Sequence, residues 1–221
     1  SGNTVSAMTD ATLTGNGQIV GNTVNAAGTA TIAGDIAADA VNNTVAADII
    51  DVTTNITNII GGTYTSSDNT DLTASVEIGG VTVQAQGAAA LTTGADIVNS
   101  TIEGSTAVLT AGGNISNTAV ETLTTANLTA TADILNSSVV SGTDATLSAA
   151  NIAGTTVSAD AIATLTATGN LLDSTVTAGT DAILNAAQIG GATVTALNDA
   201  TLTAAVVRVA SFRAVTVAPP I

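Results

Sequence analysis

The sequence predicts an all-β fold: a right-handed parallel β-solenoid, or β-helix, of about eleven coils of 18–19 residues. Three observations carry this. A six-residue motif recurs along the whole chain at a nearly constant interval. Two further columns of residues keep step with it. The apolar content, 45% of 221 residues, comes almost entirely from Ala, Val, Ile and Leu, with one Tyr, one Phe and no Trp. Irregular cores are normally filled by aromatics, so a core of small aliphatics points to a narrow, regular interior.

The motif reads apolar, any, Gly/Asn/Asp, any, small, apolar. "ILNSSV" at 134–139 is one copy, and "IVNSTI" at 97–102, "IAGTTV" at 152–157 and "LLDSTV" at 171–176 are others. Copies start at Ile19, Ala40, Ile59, Ile78, Ile97, Ile115, Ile134, Ile152, Leu171 and Ile189, in steps of 21, 19, 19, 19, 18, 19, 18, 19 and 18. The first letter is the inward station of one short strand. The third letter reads Gly21, Asn42, Gly61, Gly80, Asn99, Asn117, Asn136, Gly154, Asp173, Gly191. These are the residue types that tolerate a left-handed backbone, so the third letter is a corner. The sixth letter, Val in most copies and Tyr64 in one, is the inward station of the next strand. A third station runs upstream from Leu13 and Ile32 to Leu184 and Leu202. Thr, Ser or Asn alternates with each station, as in "TLTAT" at 164–168, and period-two alternation means strand. Three strands per coil, with coils ~4.8 Å apart, give a rod roughly 50 Å long. Evenly spaced stations would mark a left-handed helix. The unequal spacing and the general preference for right-handed parallel crossovers favour the right hand. One domain spans 1–221, with regular coils over about 10–205 and an irregular last coil at 206–221. "AGDIAADAVNN" at 33–43 lengthens one loop.

Charge narrows the function. The net charge is −15, with no Lys or His and only Arg208 and Arg213 as cations. Nucleic acid requires a basic footprint, and anionic membrane surfaces require basic segments too; neither is an expected partner. No apolar run reaches the roughly 20 residues needed to span a bilayer. An enzyme on such a rod would need clustered acids and bases, and the carboxylates are scattered singly, so no catalytic activity is expected.

The wording "AIATLTATGNLLDSTVTAGTDA" at 161–182 resembles the haemagglutinin-type repeats of filamentous haemagglutinin-like adhesins, and the likeness extends over about 10–205. The resemblance implies a large secreted bacterial solenoid with coils of roughly 19 residues. The expected role is therefore structural, extracellular or at the bacterial surface, with any host or surface receptor unidentified.

Two ladders bear on ligands. The residue before each motif is polar in all ten copies, from Gln18 and Asp39 to Asn170 and Gln188. Stacked amides can bond up a rod. No cofactor is expected; Ca2+ is the one metal this oxygen-rich column would suit, and the calcium-binding G-G-x-G-x-D repeat is missing. The fifth letter is Thr in eight of ten copies, from Thr23 to Thr193. Ice binding, the less favoured alternative, needs a second Thr column, and there Glu103, Glu121 and Val140 interrupt Thr65, Thr177 and Thr195.

The ends suggest self-assembly. "GNTV" at 2–5 supplies the third to sixth motif letters, so the chain opens halfway through a coil. Open solenoid ends expose core and strand edges. A subunit that docks head-to-tail into a filament is the leading expectation, and a shaft fragment of a large secreted adhesin is the alternative. In the first case residues 1–14 stack on residues 200–217 of a neighbour. Val5, Met8 and Leu13 would bury against Leu202, Val207 and Phe212, with Arg208 and Arg213 near the neighbour's Asp10.

Overall fold

The computed structural model describes residues 2–35 and 38–214. Among them there are only strands, turns and bends, and every strand pair is parallel. The chain winds through three sheets in strict rotation. Sheet A has 12 strands, from Thr4–Ala7 to Ser211–Ala214. Sheet B has 11, from Ala11–Gly15 to Ala200–Thr203, and sheet C has 11, from Gln18–Val20 to Val206–Arg208. The fold is thus a β-solenoid of about eleven turns. Residues 215–221 of the irregular last coil, and Ile36 and Ala37 of the lengthened loop, lie outside the described residues.

Each sheet presents one apolar station to the interior. The Val column of sheet A, the Leu column of sheet B and the Ile column of sheet C stack in register, as in Val139 on Val157, Leu147 on Leu165 and Ile134 on Ile152. These six side chains are fully buried. Alanines fill the narrower space toward the corners: sheet B carries Ala-x-Leu-x-Ala inward, as at Ala163, Leu165 and Ala167. Small and branched aliphatics fill such a tapered interior without strain, and nearly every core neighbour lies one coil away.

Coil length varies, yet the connection from sheet C to sheet A never does. It is two residues in every coil, as in Asn136–Ser137 between Asp133–Leu135 and Ser138–Ser141. The A-to-B and B-to-C connections run from one residue to three. They absorb the difference between 18- and 21-residue steps. The longest step coincides with a register irregularity at Ala38/Asp39, where Ala38–Val41 meets Ile56–Ile60.

Candidate functional site: corners, ladders and rod ends

The C–A corner is the most regular feature of the rod. Gly21, Asn42, Gly61, Gly80, Asn99, Asn117, Asn136, Gly154, Asp173 and Gly191 all have positive φ, between 48° and 65°. Gly2, at φ 70°, extends the column by one coil. Val209, in the same slot of the last coil, lacks the positive φ, as a β-branched residue must.

The residue after each corner, left open in the motif, proves to be buried and functional in the fold. Asn22, Asn43, Ser100, Thr118, Ser137, Thr155 and Ser174 are all buried polar residues at this place. The Ser137 hydroxyl donates to the Leu135 carbonyl at 3.0 Å and accepts the Thr118 N–H of the preceding coil at 3.3 Å. Ser174 repeats this with Leu172 at 2.9 Å and Thr155 at 3.3 Å, and Ser100 with Val98 and Val81. Toward the first coils, asparagine does the same work: the Asn22 N–H and Nδ2 both donate to Asn43 Oδ1, and Asn43 Nδ2 donates to the Ile19 carbonyl. The sharp corner turns these N–H groups away from the sheet ladder, and a side-chain oxygen of the following coil satisfies those of Asn22, Val81, Thr118 and Thr155. The signal is a Ser, Thr or Asn in seven of the ten motif copies, unbroken from Ser100 to Ser174, but a purely apolar reading passes over it.

The polar column before the motif forms a self-bonded ladder on the outside of sheet C. Asp96 Oδ1 accepts the Asn114 N–H at 2.6 Å and Nδ2 at 3.1 Å; Asn114 Oδ1 accepts the Asp133 N–H at 3.1 Å. Asp133 Oδ1 takes the Asn151 N–H at 3.2 Å and Nδ2 at 2.8 Å, and Asn151 Oδ1 takes the Asn170 N–H at 2.9 Å. An amide between carboxylates supplies a donor where a second carboxylate would repel. One oxygen of each of these carboxylates is thus engaged in the ladder. Among the described residues no three acidic, His or Cys side chains come together as a metal site.

Register exposes two like-charged pairs that a linear reading misses. Asp51 stacks on Asp71 in sheet B, and Glu103 on Glu121 in sheet A. Partial burial holds the Asp71 carboxyl above the usual carboxylate range, the Asp51 charge adds to this, and the Thr73 hydroxyl, donating at 3.3 Å, opposes it. Glu103 is partnered by Gln84 Nε2 at 3.2 Å.

The ends depart from expectation in two respects. Val5, Leu13 and Leu202 continue the inward columns, and so do Val207 and Phe212, which are 44% and 49% exposed. Met8 does not: it sits at the A–B corner, 95% exposed and off every inward column. Nor do the arginines converge. Arg208 lies on the outer face of sheet C beside Gly190, and Arg213 on the outer face of sheet A beside Thr195. Continued upward, those columns meet Val20 and Ser6, while Asp10 stands at the A–B corner with its carboxylate on the Thr29 N–H at 2.8 Å. Strand periodicity fixes these directions, so the two arginines leave the rod from different faces.

Compared with protein-family models, curated proteins and solved structures, the chain matches none.

Proposed function

We propose that this chain is a structural, non-catalytic element of an extracellular bacterial filament, in which solenoids continue one another head-to-tail along the axis. One observation carries the reading. Among the described residues, Thr4–Ala7, Ala11–Gly15 and Gln18–Val20 each pair on one side only, and so do Ala200–Thr203, Val206–Arg208 and Ser211–Ala214. Free parallel edges in register with three apolar columns are templates for a further coil of the same kind. Sheet A has one strand more than B or C. Seating Thr4–Ala7 of one copy on Ser211–Ala214 of the next therefore brings Val5 onto Phe212. It leaves room for one further strand in each of sheets B and C, so Leu13 does not reach Leu202 directly. The adhesin-shaft alternative is favoured by the resemblance of 161–182 to haemagglutinin-type repeats; there the next coil belongs to the same polypeptide.

Electron microscopy with sedimentation velocity tests this. The purified chain should form rods whose length grows with concentration. The double variant Val5→Asp, Phe212→Asp should stay at one unit length of roughly 50 Å, because a buried unpaired charge opposes docking. A parent that remains one unit long at every concentration removes the head-to-tail reading and leaves the shaft.

A further inference from the structure

We infer that the outward face of sheet B, from Ala88–Thr93 to Ala200–Thr203, is a lateral docking surface for a second copy of this chain, with the two rods parallel. The chain carries 17 carboxylates. Yet across these seven successive strands of sheet B not one outward residue is charged; Asp51 and Asp71 lie in earlier coils. The face consists of two outward columns. One is almost all hydroxyl: Thr92, Thr110, Thr129, Ser148 and Thr166 stack in register. The other includes Ala90, Val108 and Ile183, the last two 45% and 40% exposed. Such small, flat, uncharged columns interdigitate well between facing sheets ~10 Å apart.

Charge placement selects the occupant and its direction. The A–B corner flanking this face carries Asp144, Asp160, Asp181 and Asp199. On the other flank, the B–C connections of those same four coils are uncharged, for example Ala150, Thr168–Gly169 and Ala186–Ala187. The acids on that flank, Asp96 and Asp133, fall in coils whose A–B corners are Gln86–Gly87 and Leu123–Thr125. No coil of the seven has acid on both flanks. A two-fold axis along the rods therefore sets each acidic corner opposite an uncharged one at every level. An antiparallel pair in full overlap would set the A–B corners against each other and Asp144 against its own counterpart. Leu123, 76% exposed, then lies over the partner's Thr131–Ala132. Over the same coils Glu103 and Glu121 stand on the outward face of sheet A, and Asp96 and Asp133 beside sheet C. The hydroxyl columns alone do not suit ice, since Ala90, Val108 and Ile183 break one of them, and the face has no aromatic ring for a sugar.

Seven strands of about five residues cover roughly 34 by 16 Å, about 550 Å² per copy and about 1,100 Å² in the pair. That is just above what a specific contact needs, so the pair is weak and concentration-dependent. Small-angle scattering measures it as mass per unit length, which end-to-end growth leaves unchanged. Mass per length should double as the concentration rises toward about 100 μM. Val108→Glu, or Thr110→Lys, should abolish the doubling, each change lying on an exposed position that leaves the circular dichroism intact. Because the two-fold exchanges the outward columns, Val108 of one copy faces Thr110 of the other. An equimolar mixture of the two variants should recover at least half the doubling. Val140→Glu on sheet A should change nothing. A parent of constant mass per length, an equal loss with Val140→Glu, or thermal hysteresis lost in Val108→Glu without any pairing would overturn the assignment. No recovery in the mixture would overturn the parallel arrangement.

Discussion

The two corners that flank sheet A hold the same chain against the same core by opposite means. The C–A corner keeps one length of two residues, the first left-handed in all ten motif copies and the second a buried polar residue in seven of them. The A–B corner varies from one to three residues and bears most of the local acids and the exposed Leu123 and Leu197. Even their glycines differ. Gly154 and Gly191 have positive φ, whereas Gly142 and Gly179 do not; there a Cβ would strike the carbonyl of Leu123 or Asp160 in the coil before. The first corner sets the phase of every coil, and the second takes up the slack. What must be constant in a solenoid is the geometry that turns one inward station into the next, not the number of residues in a coil.

Inserting one glycine tests this most severely. Placed between Asn136 and Ser137, it shifts Ser138–Ser141 by one residue and turns Val139 outward, since side chains alternate along a strand. The melting temperature should fall by about 10 °C or more, or the transition should split, by analogy with losing several kcal/mol of core. The same glycine after Ser105 lengthens a one-residue connection to a length that other coils use, and should shift the midpoint by only ~2 °C. Equal effects at both corners would erase the distinction.

A smaller effect separates conformation from length. Asn136 has φ 48°. Asn136→Val should cost about 2 kcal/mol, because a left-handed residue with a branched Cβ is strained. Asn136→Gly should be nearly neutral, Gly being the residue at Gly61 and Gly154. Urea unfolding of the three proteins side by side gives the ordering.

The buried residue of the corner comes next. Ser137→Ala removes the oxygen that accepts the Thr118 N–H and leaves that group buried and unpaired, at a cost of about 1–2 kcal/mol. Ser137→Thr should retain most of the stability, since Thr118 and Thr155 occupy the same place in their own coils and donate to the carbonyls of Ser116 and Ala153 at 3.1 and 3.2 Å. Hydrogen exchange at the Thr118 amide should accelerate in the Ala variant and not in the Thr variant.

These contrasts also mark what a linear reading can and cannot show. The corner residues and the three apolar columns were legible because each repeats one residue type at one spacing. The Ser/Thr/Asn column next to the corner is interrupted at Gly62, Val81 and Ala192, and its chemistry is ambiguous until burial is known: Ser on an exposed strand and Ser under a corner look alike. The alanine columns hide for a similar reason, being apolar but small. The Asp51–Asp71 and Glu103–Glu121 stacks, and the uncharged face of sheet B, depend on which residues stand above one another, and this needs the register of coils of unequal length. That Arg208 and Arg213 stand on different faces likewise depends on strand register and not on their nearness in the chain.

The last prediction sets one buried hydroxyl against another. The Ser137 hydroxyl is paired on both sides; the Tyr64 hydroxyl, in the Val column immediately after the all-glycine corner Gly61–Gly62, is fully buried and is the one buried side-chain polar atom without a partner among the described residues. Removing it should do the reverse of Ser137→Ala. Tyr64→Phe keeps the ring and deletes an unpaired polar group, so stability should rise by about 1 kcal/mol. The pH dependence supplies a second reading of the same site. Burial pushes the Tyr64 phenol well above its ordinary value of 10.0. The unfolded chain therefore ionises first as pH rises. The stability contributed by the neutral phenol is complete below pH 10 and is lost progressively above it. The parent should thus lose stability from pH 10 upward, and Tyr64→Phe should not lose this part of it. Tyr64 is the sole tyrosine and there is no tryptophan, so absorbance near 295 nm reports on this phenol alone. In the folded parent that signal should stay silent past pH 10 and appear only with unfolding. A signal that titrates near 10 while the circular dichroism is unchanged would mean the ring is solvated, and the gain expected from Tyr64→Phe would vanish with it.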